Sequence, residues 1–272
     1  MKNTVCELSD IRENDLSDIV AGGTIGKEII FLPEVDSTNI YASKLARDGM
    51  PEGVVVIADC QKRGKGRLNR VWQSPPGKNL YTSIILRPSI PSHLAPQLTL
   101  TAGVAVAELL SQYCPGTVML KWPNDVQINM RKICGILTEM RIKRGKIDFV
   151  IVGMGININM KKEEFQEEFR ESSTSLNQET GNRISRTDIA NKLYRTFEKW
   201  YEIYLDKGFR PIREAWLGYS GILNKNIAVH YKKDVYKGRV IGIDEYGALL
   251  LFDEKNETKR ILAGDVSLIG EQ

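Results

Sequence analysis

Between Thr117 and Gly153 four β-forming runs follow one another with almost nothing between them, and this spacing constrains the fold more than any other feature. The runs are Thr117–Trp122, Asp125–Asn129, Ile133–Ile142 and Ile147–Gly153, the last two joined by Lys143-Arg144-Gly145-Lys146. Parallel neighbours need a crossover of about a dozen residues or more, so connectors this short force antiparallel pairing. A doubly wound parallel sheet is thereby disfavoured, and an α+β layer is expected.

The flanking segments supply the rest of that layer. Ile29–Leu32 reads as a strand ending at Pro33, and Asp36-Ser37-Thr38 as the N-cap oxygens of a helix over Asn39–Arg47, closed by Gly49. The valine-rich run Gly53–Asp59 predicts a buried central strand, and Asn79–Arg87 another, stopped by Pro88. Leu94–Tyr113 is apolar nearly all round, as a helix with several packing neighbours would be. In Thr187–Lys207 the residues Ile189, Leu193, Phe197, Trp200 and Tyr204 fall on one helical face, with Gly208 at the end and a short helix over Ile212–Leu217 beyond.

From Gly221 the texture changes. Short runs at Ile227–Tyr231, Val235–Ile243, Ala248–Phe252, Lys259–Ala263 and Val266–Ile269 alternate with turns, which predicts a small β-barrel of the SH3 type. The expected organisation is a lead segment over 1–27, in which Leu8, Ile11, Leu16 and Ile19 fit a helix only partly, a main domain over 28–218 and the barrel over 219–272.

Composition narrows the function classes. At 272 residues, 42% hydrophobic and 26% charged, the chain is globular, not disordered. A net charge of +4 is too small to imply nucleic acid. Cys6, Cys60, Cys114 and Cys134 are scattered without a CxxC pair, so neither a disulfide framework nor a zinc site is expected and a reducing cytoplasm fits. With only His93 and His230, catalysis by paired histidines is excluded. Apolar stretches such as Val54–Ala58 and Phe149–Met154 stop far short of the ~20 residues a membrane span needs, and the acidic first fifteen residues are unlike a secretory signal.

Five segments carry chemistry. In Gln61-Lys-Arg-Gly-Lys-Gly-Arg-Leu-Asn-Arg-Val-Trp72, Gly64 and Gly66 let the backbone approach a ligand, Lys65, Arg67 and Arg70 suit phosphates, and Trp72 offers a stacking face. Taken alone this is as readily a solvated basic loop. Lys121-Trp122-Pro123-Asn124-Asp125 presents an amide, a carboxylate and a lysine on a proline-locked turn, although an ordinary turn has the same composition. Lys132 stands at the mouth of a strand three residues before Gly135, where a solvated edge lysine would also be at home. Gly153-Met-Gly155-Ile-Asn157 ends a buried strand with two glycines and an amide, a pattern shared with simple backbone crossings. Asp36-Ser37-Thr38-Asn39 is a helix cap whose free N–H groups also suit a polar ligand.

Singly weak, these segments are specific in their order. STN, QxxGxGRxxRxW, KWPND, RKxxGI and GxGIN, followed by fifty β-rich residues, resemble a biotin protein ligase over about residues 28–270. The resemblance implies a class II synthetase-like catalytic domain that makes biotinyl-5′-AMP from biotin and MgATP and passes biotin to one lysine of a biotin carboxyl carrier protein of acetyl-CoA carboxylase or a related carboxylase. It implies that Ser37, Thr38, Asn39 and Gln61 bind the biotin ureido ring, with Gly64, Gly66, Gly135, Gly153 and Gly155 walling the pocket. Lys65, Arg67 and Arg70 would take phosphates, and Trp72, Asn124 and Asn157 would frame the adenine. Lys132 would bridge the biotin carboxylate and the α-phosphate as a catalytic residue with Arg67, and Asp125 is the candidate Mg2+ ligand.

Two departures stand out against the usual GRGRxGR: Lys65 replaces an arginine and Asn69 a glycine, while Lys62 stands where threonine is common. Lysine keeps the charge without the bidentate fork, and asparagine tolerates a left-handed backbone. The lead is too short for a winged-helix domain, so the resemblance is to the ligase-only group, with no nucleic-acid partner and no membrane. A monomer and a homodimer paired through the central sheet both fit. The competing readings are a lipoate or octanoyl ligase of the same fold and, from another class, a non-enzymatic nucleic-acid module; the second leaves KWPND and GxGIN unexplained.

Overall fold

The computed structural model describes Ile11 and residues 23–269. The helix considered over Leu8–Ile19 thus lies outside the described residues except for Ile11, which is buried. Strands β1 (Ile29–Val35), β2 (Val55–Gln61), β3 (Leu80–Leu86), β4 (Val118–Lys121), β5 (Asp125–Ile128), β6 (Arg131–Lys143) and β7 (Lys146–Ile156) form one sheet in the order β1-β2-β3-β7-β6-β5-β4. Only β1 and β2 run parallel, connected through helix α1 (Thr38–Arg47); all other pairs are antiparallel, as the short connectors require. Arg144 and Gly145 turn the β6–β7 hairpin with φ of 51° and 77°, the left-handed pair of a two-residue hairpin.

Each face of the sheet has its own helical layer. On one, Ala42 and Ala46 of α1 pack with Val54, Val56, Ile85, Phe149 and Ile151. On the other lie α2 (Pro96–Ser111), α4 (Arg186–Lys207) and α5 (Phe209–Tyr219). Helix α2 is buried nearly all round, and Pro96 sits in its first turn, where a missing N–H costs nothing. Ser92–Ser111 is long and apolar enough to pass for a membrane span, but 72% of that window is buried inside the protein, which makes it the core helix. The short helix α3 (Leu176–Thr180) lies between β7 and α4 in the chain.

Two expectations need correction. Strand β1 does not stop at Pro33 but runs on to Val35, because an edge strand can leave the proline unpaired between the Leu32 and Glu34 registers. Ser37 occupies the N-cap position of α1, yet its side chain makes no capping bond. The predicted barrel is an SH3-like five-stranded antiparallel sheet, β8 (Asn226–Tyr231), β9 (Asp234–Ile243), β10 (Leu249–Phe252), β11 (Thr258–Ile261) and β12 (Asp265–Leu268), in the order β11-β10-β9-β8-β12. Among the described residues its ladder is open between β11 and β12.

The second sheet is tied to the first by side chains aimed at its backbone. Trp122 Nε1 donates to Gly247 O (3.1 Å), Gln97 Nε2 to Glu245 O (2.8 Å) and Arg213 Nε to Ile243 O (2.7 Å). Inside the main layer, Arg186 at the start of α4 is fully buried and pairs with Asp59 of β2 at 2.7 Å.

Candidate active site

The α1 face of the sheet is stripped of side chains where β3, β7 and β6 meet. Ser83, Gly153 and Leu137 form one cross-strand row; Tyr81, Gly155 and Gly135 form the next, with Asp125 of β5 beyond. A Cβ on Gly153 would lie 1.9 Å from Asn39 Oδ1, one on Gly155 2.5 Å from Trp72 Nε1, and one on Gly135 2.8 Å from Trp72 Cζ3. The three glycines therefore make a flat floor on which Asn39 and Trp72 rest, and any side chain there would lift them. This floor belongs to a pocket that also receives Ser37, Thr38, Gln61, Arg67, Arg70, Asn124 and Lys132.

One end of the pocket is polar and nearly neutral. Gln61 Oε1 accepts from Thr38 N (2.9 Å) and Thr38 Oγ1 (3.2 Å), and Gln61 Nε2 donates to Ser74 Oγ (3.0 Å). Ser37 lines the same end, and its side chain makes no capping bond. Asn39 is different. Its Nδ2 is spent on Leu137 O (3.2 Å) and Glu139 Oε2 (2.8 Å), which makes it a wall rather than a ligand donor. Lys65, at the rim, reaches the other Glu139 oxygen at 3.5 Å.

The opposite end is cationic. Lys132 Nζ lies 2.6 Å from Asp125 Oδ1 and 5.4 Å from the Trp72 ring centroid, while the Lys132 backbone is held by Ser172 O (2.8 Å) and Thr174 N (2.9 Å). Arg67 Nη1 donates to Asn124 Oδ1 (3.0 Å), Arg67 Nη2 to Gly264 O (3.2 Å), and both Arg67 and Arg70 pair with Asp265. Burial pulls the Arg67 pKa down, with Asp265 and Asp125 opposing it, and a guanidinium stays charged regardless. Burial likewise lowers the ammonium pKa of Lys121, against the pull of nearby Asp125.

The sequence-predicted residues converge here with one exception: Gly64 lies outside the pocket, packed so that a Cβ would meet Trp72 O at 2.4 Å. Asn124 and Asn157 line it, but their amides are committed to the protein. Asn124 Nδ2 donates to Ile136 O (2.9 Å), and Asn157 bonds Thr174 O (3.1 Å) and Asn79 Nδ2 (3.3 Å). Asn69 takes the left-handed backbone expected of it (φ 61°), and so does Leu68 (φ 53°), a strained choice for an exposed leucine.

Sequence reasoning missed two parts. One is the stretch from Met160 to Ser173, which brings Phe165 and Phe169 over the pocket; Gln73 clamps it by donating to Glu164 O (2.8 Å) and accepting from Gln166 N (3.2 Å). The other is Asp265. Neither shows a period or motif, because each acts only through contacts distant along the chain. Among the described residues no three His, Cys, Asp or Glu side chains cluster as a metal cage.

A polar end, a flat trough and a cationic end with no nucleophile define a site that activates an acid with a nucleotide, holding both anions on positive charge. Comparison with known proteins gives the same answer. Residues 31–157 match the Biotin/lipoate A/B protein ligase family and residues 222–269 the Biotin protein ligase C terminal domain. The bifunctional ligase/repressor BirA of Bacillus subtilis (strain 168) is 39% identical over 245 residues, 90% of this chain and 75% of the relative. The biotin–[acetyl-CoA-carboxylase] ligase of Paracoccus denitrificans is 33% identical over 223 residues, 81% of this chain and 92% of the relative. A biotin protein ligase from Aquifex aeolicus, solved in complex with biotin and ATP, matches with a TM-score of 0.76 at 31% identity, covering 89% of this chain and 99% of that one. The chain belongs to the biotin/lipoate A/B protein ligase family, among its biotin protein ligases.

Proposed function

We propose that this enzyme condenses biotin with ATP to biotinyl-5′-AMP and transfers the biotinyl group to a lysine of a biotin carboxyl carrier protein, that of acetyl-CoA carboxylase or a related carboxylase. The observation that carries this reading is one pocket with Ser37, Thr38 and Gln61 at one end and Lys132, Arg67 and Arg70 at the other, across a glycine floor. The ureido ring takes the polar end, and the valeryl chain lies along the floor. Its carboxylate then meets the α-phosphate beside Lys132. A carboxylate oxygen attacks the α-phosphorus and the bond to the β-phosphate oxygen breaks, releasing pyrophosphate. In the second half-reaction the carrier lysine, having lost a proton, attacks the acyl carbon and AMP leaves.

Both steps gather negative charge that cations stabilise, and neither needs a nucleophilic side chain. Arg67 and Arg70 rest on Asp265, a carboxylate that phosphate oxygens replace when the nucleotide enters. Magnesium travels with the triphosphate. Asp125, already beside Lys132, is the carboxylate suited to share it with phosphate and water, and the ion would offset phosphate charge. The free thiols of Cys60, Cys114 and Cys134 suit a reducing compartment such as the cytoplasm.

The deciding experiment supplies MgATP, labelled biotin and an apo-carrier domain; biotinylation of the carrier is expected, and transfer of lipoate in its place overturns the assignment. A second expectation concerns loop closure. Arg67→Gly removes the bonds to Asn124, Gly264 and Asp265, so biotinyl-AMP should leave at least about tenfold faster, since charge-assisted bonds contribute roughly 1.5–3 kcal/mol each. Filter-binding dissociation rates check this, and a release as slow as the parent's removes Arg67 from the closing role.

A further inference from the structure

Beyond Gly135 the bare row of the sheet ends in two charges. Tyr81, Gly155, Gly135 and Asp125 are cross-strand partners in turn, and the next partner of Asp125, on the edge strand β4, is Lys121. A register shift between Val126 and Gln127 lets Lys132 and Gly135 share this face, and a Cβ on Gly135 would meet Lys132 Cε at 3.4 Å. Val118 and Leu120 of β4 are buried on the other face, in the core with α2, so Lys121 projects on the same side as Asp125. Successive strands lie about 4.8 Å apart, which sets the Lys121 backbone about 10 Å beyond Gly135. The pocket lining stops short of it, at Asp125.

The charges there do not balance. Lys132 is paired with Asp125, and Arg67 and Arg70 share Asp265, so of these four cations Lys121 alone has no carboxylate of its own. Among the described residues its Nζ makes no hydrogen bond or ion pair, although Asp125 and Asp265 are near enough to act on it. Burial lowers its ammonium pKa, the Lys132 and Arg70 charges add to that, and the two carboxylates oppose it. A half-buried ammonium without a partner costs free energy that an incoming anion recovers. In-line displacement says which anion. The carboxylate enters from the Gln61 end and meets the α-phosphate beside Lys132, so the bond that breaks points away along the row, toward β4.

We infer that Lys121 is a further catalytic residue: its ammonium binds the β- and γ-phosphates of ATP and receives the charge of the departing pyrophosphate. The inference rests on the biotin reading above and adds to it a subsite for the leaving group. As the carboxylate oxygen bonds to the α-phosphorus, the bond to the bridging oxygen breaks and its electron pair leaves with pyrophosphate; no proton is transferred. An ammonium two strands beyond Gly135 meets that charge in this half-reaction alone. Once pyrophosphate has gone, transfer to the carrier lysine has no use for Lys121.

The test compares the two half-reactions in the full chain for the parent, Lys121→Met and Lys121→Arg, with melting curves to confirm folding. The first is biotin-dependent ATP–pyrophosphate exchange; the second is transfer to an apo-carrier domain from biotinyl-AMP supplied ready-made. Lys121→Met keeps the stem without the charge. It should slow exchange about tenfold and raise the KM for pyrophosphate, with the KM for biotin and the transfer rate within about twofold of the parent. Lys121→Arg should exchange faster than Lys121→Met, because phosphate accepts either cation. Exchange slowed by less than about threefold in folded Lys121→Met overturns the subsite, as does an arginine variant no better than methionine. An equal loss in transfer also overturns it, since that marks a structural role. Should the methionine variant not fold, Lys121→Gln carries the same expectations. A parent enzyme whose exchange ignores biotin would fail the functional reading itself, whereas a biotin-responsive parent with insensitive Lys121 variants fails the subsite alone.

Discussion

Lys132→Ala will slow formation of the acyl-adenylate by about 10²-fold or more, with little change in melting temperature. The side chain carries positive charge to the end of the pocket where, in the proposed reaction, carboxylate and α-phosphate approach, and its Nζ is already drawn there by Asp125 at 2.6 Å. Folding does not need it, because the Lys132 backbone pairs with Ser172 and Thr174 whatever the side chain. Removing the ammonium costs twice over: the meeting point loses its cation, and Asp125 is left to repel the incoming anions. Lys132→Arg keeps the charge but spreads it over a rigid plane, so it should recover only part of the rate. Biotin-dependent pyrophosphate exchange is the readout, and near-parent exchange in Lys132→Ala would refute the role.

The second large effect concerns stability, away from the chemistry. Arg186 is fully buried and pairs with Asp59, whose side chain keeps 17% of its surface exposed, and Arg186→Met takes the guanidinium away from that carboxylate. Breaking a buried pair by removing one partner costs about 3–5 kcal/mol, and with Asp59 partly open to water the lower end applies, which for a chain of this size lowers Tm by roughly 6–10 °C. The paired change Asp59→Leu with Arg186→Met should regain much of the loss, since apolar replacements of a buried pair are often neutral. Thermal unfolding of the two variants decides it; a single variant melting within about 2 °C of the parent would show the pair to be dispensable.

Much of the layer was legible because its signals are local. The Arg144-Gly145 turn announced the β6–β7 hairpin, and the helical face of Ile189, Leu193 and Phe197 announced α4. Pro33 misled because a strand's place in a sheet is not written in its own residues: a central strand would have ended there, an edge strand did not. Ser37 misled for a related reason, since its composition said cap while the fold turned it to the pocket. Asp265 acts on Arg70 across 195 positions, and Arg186 on Asp59 across 127; no local pattern marks either.

The glycine floor has a cost that outlasts any single reaction. Gly135, Gly153 and Gly155 place three side-chain-free residues on adjoining strands, and each gives up roughly 0.5–1 kcal/mol of backbone rigidity relative to alanine. The sheet is thus least self-sufficient where it is most useful, and the layer it lacks is borrowed. Asn39 and the Trp72 indole supply part of it from above. In the proposed reaction a bound biotinyl-adenylate would supply the remainder, so that during turnover the intermediate would serve as a temporary piece of the hydrophobic core.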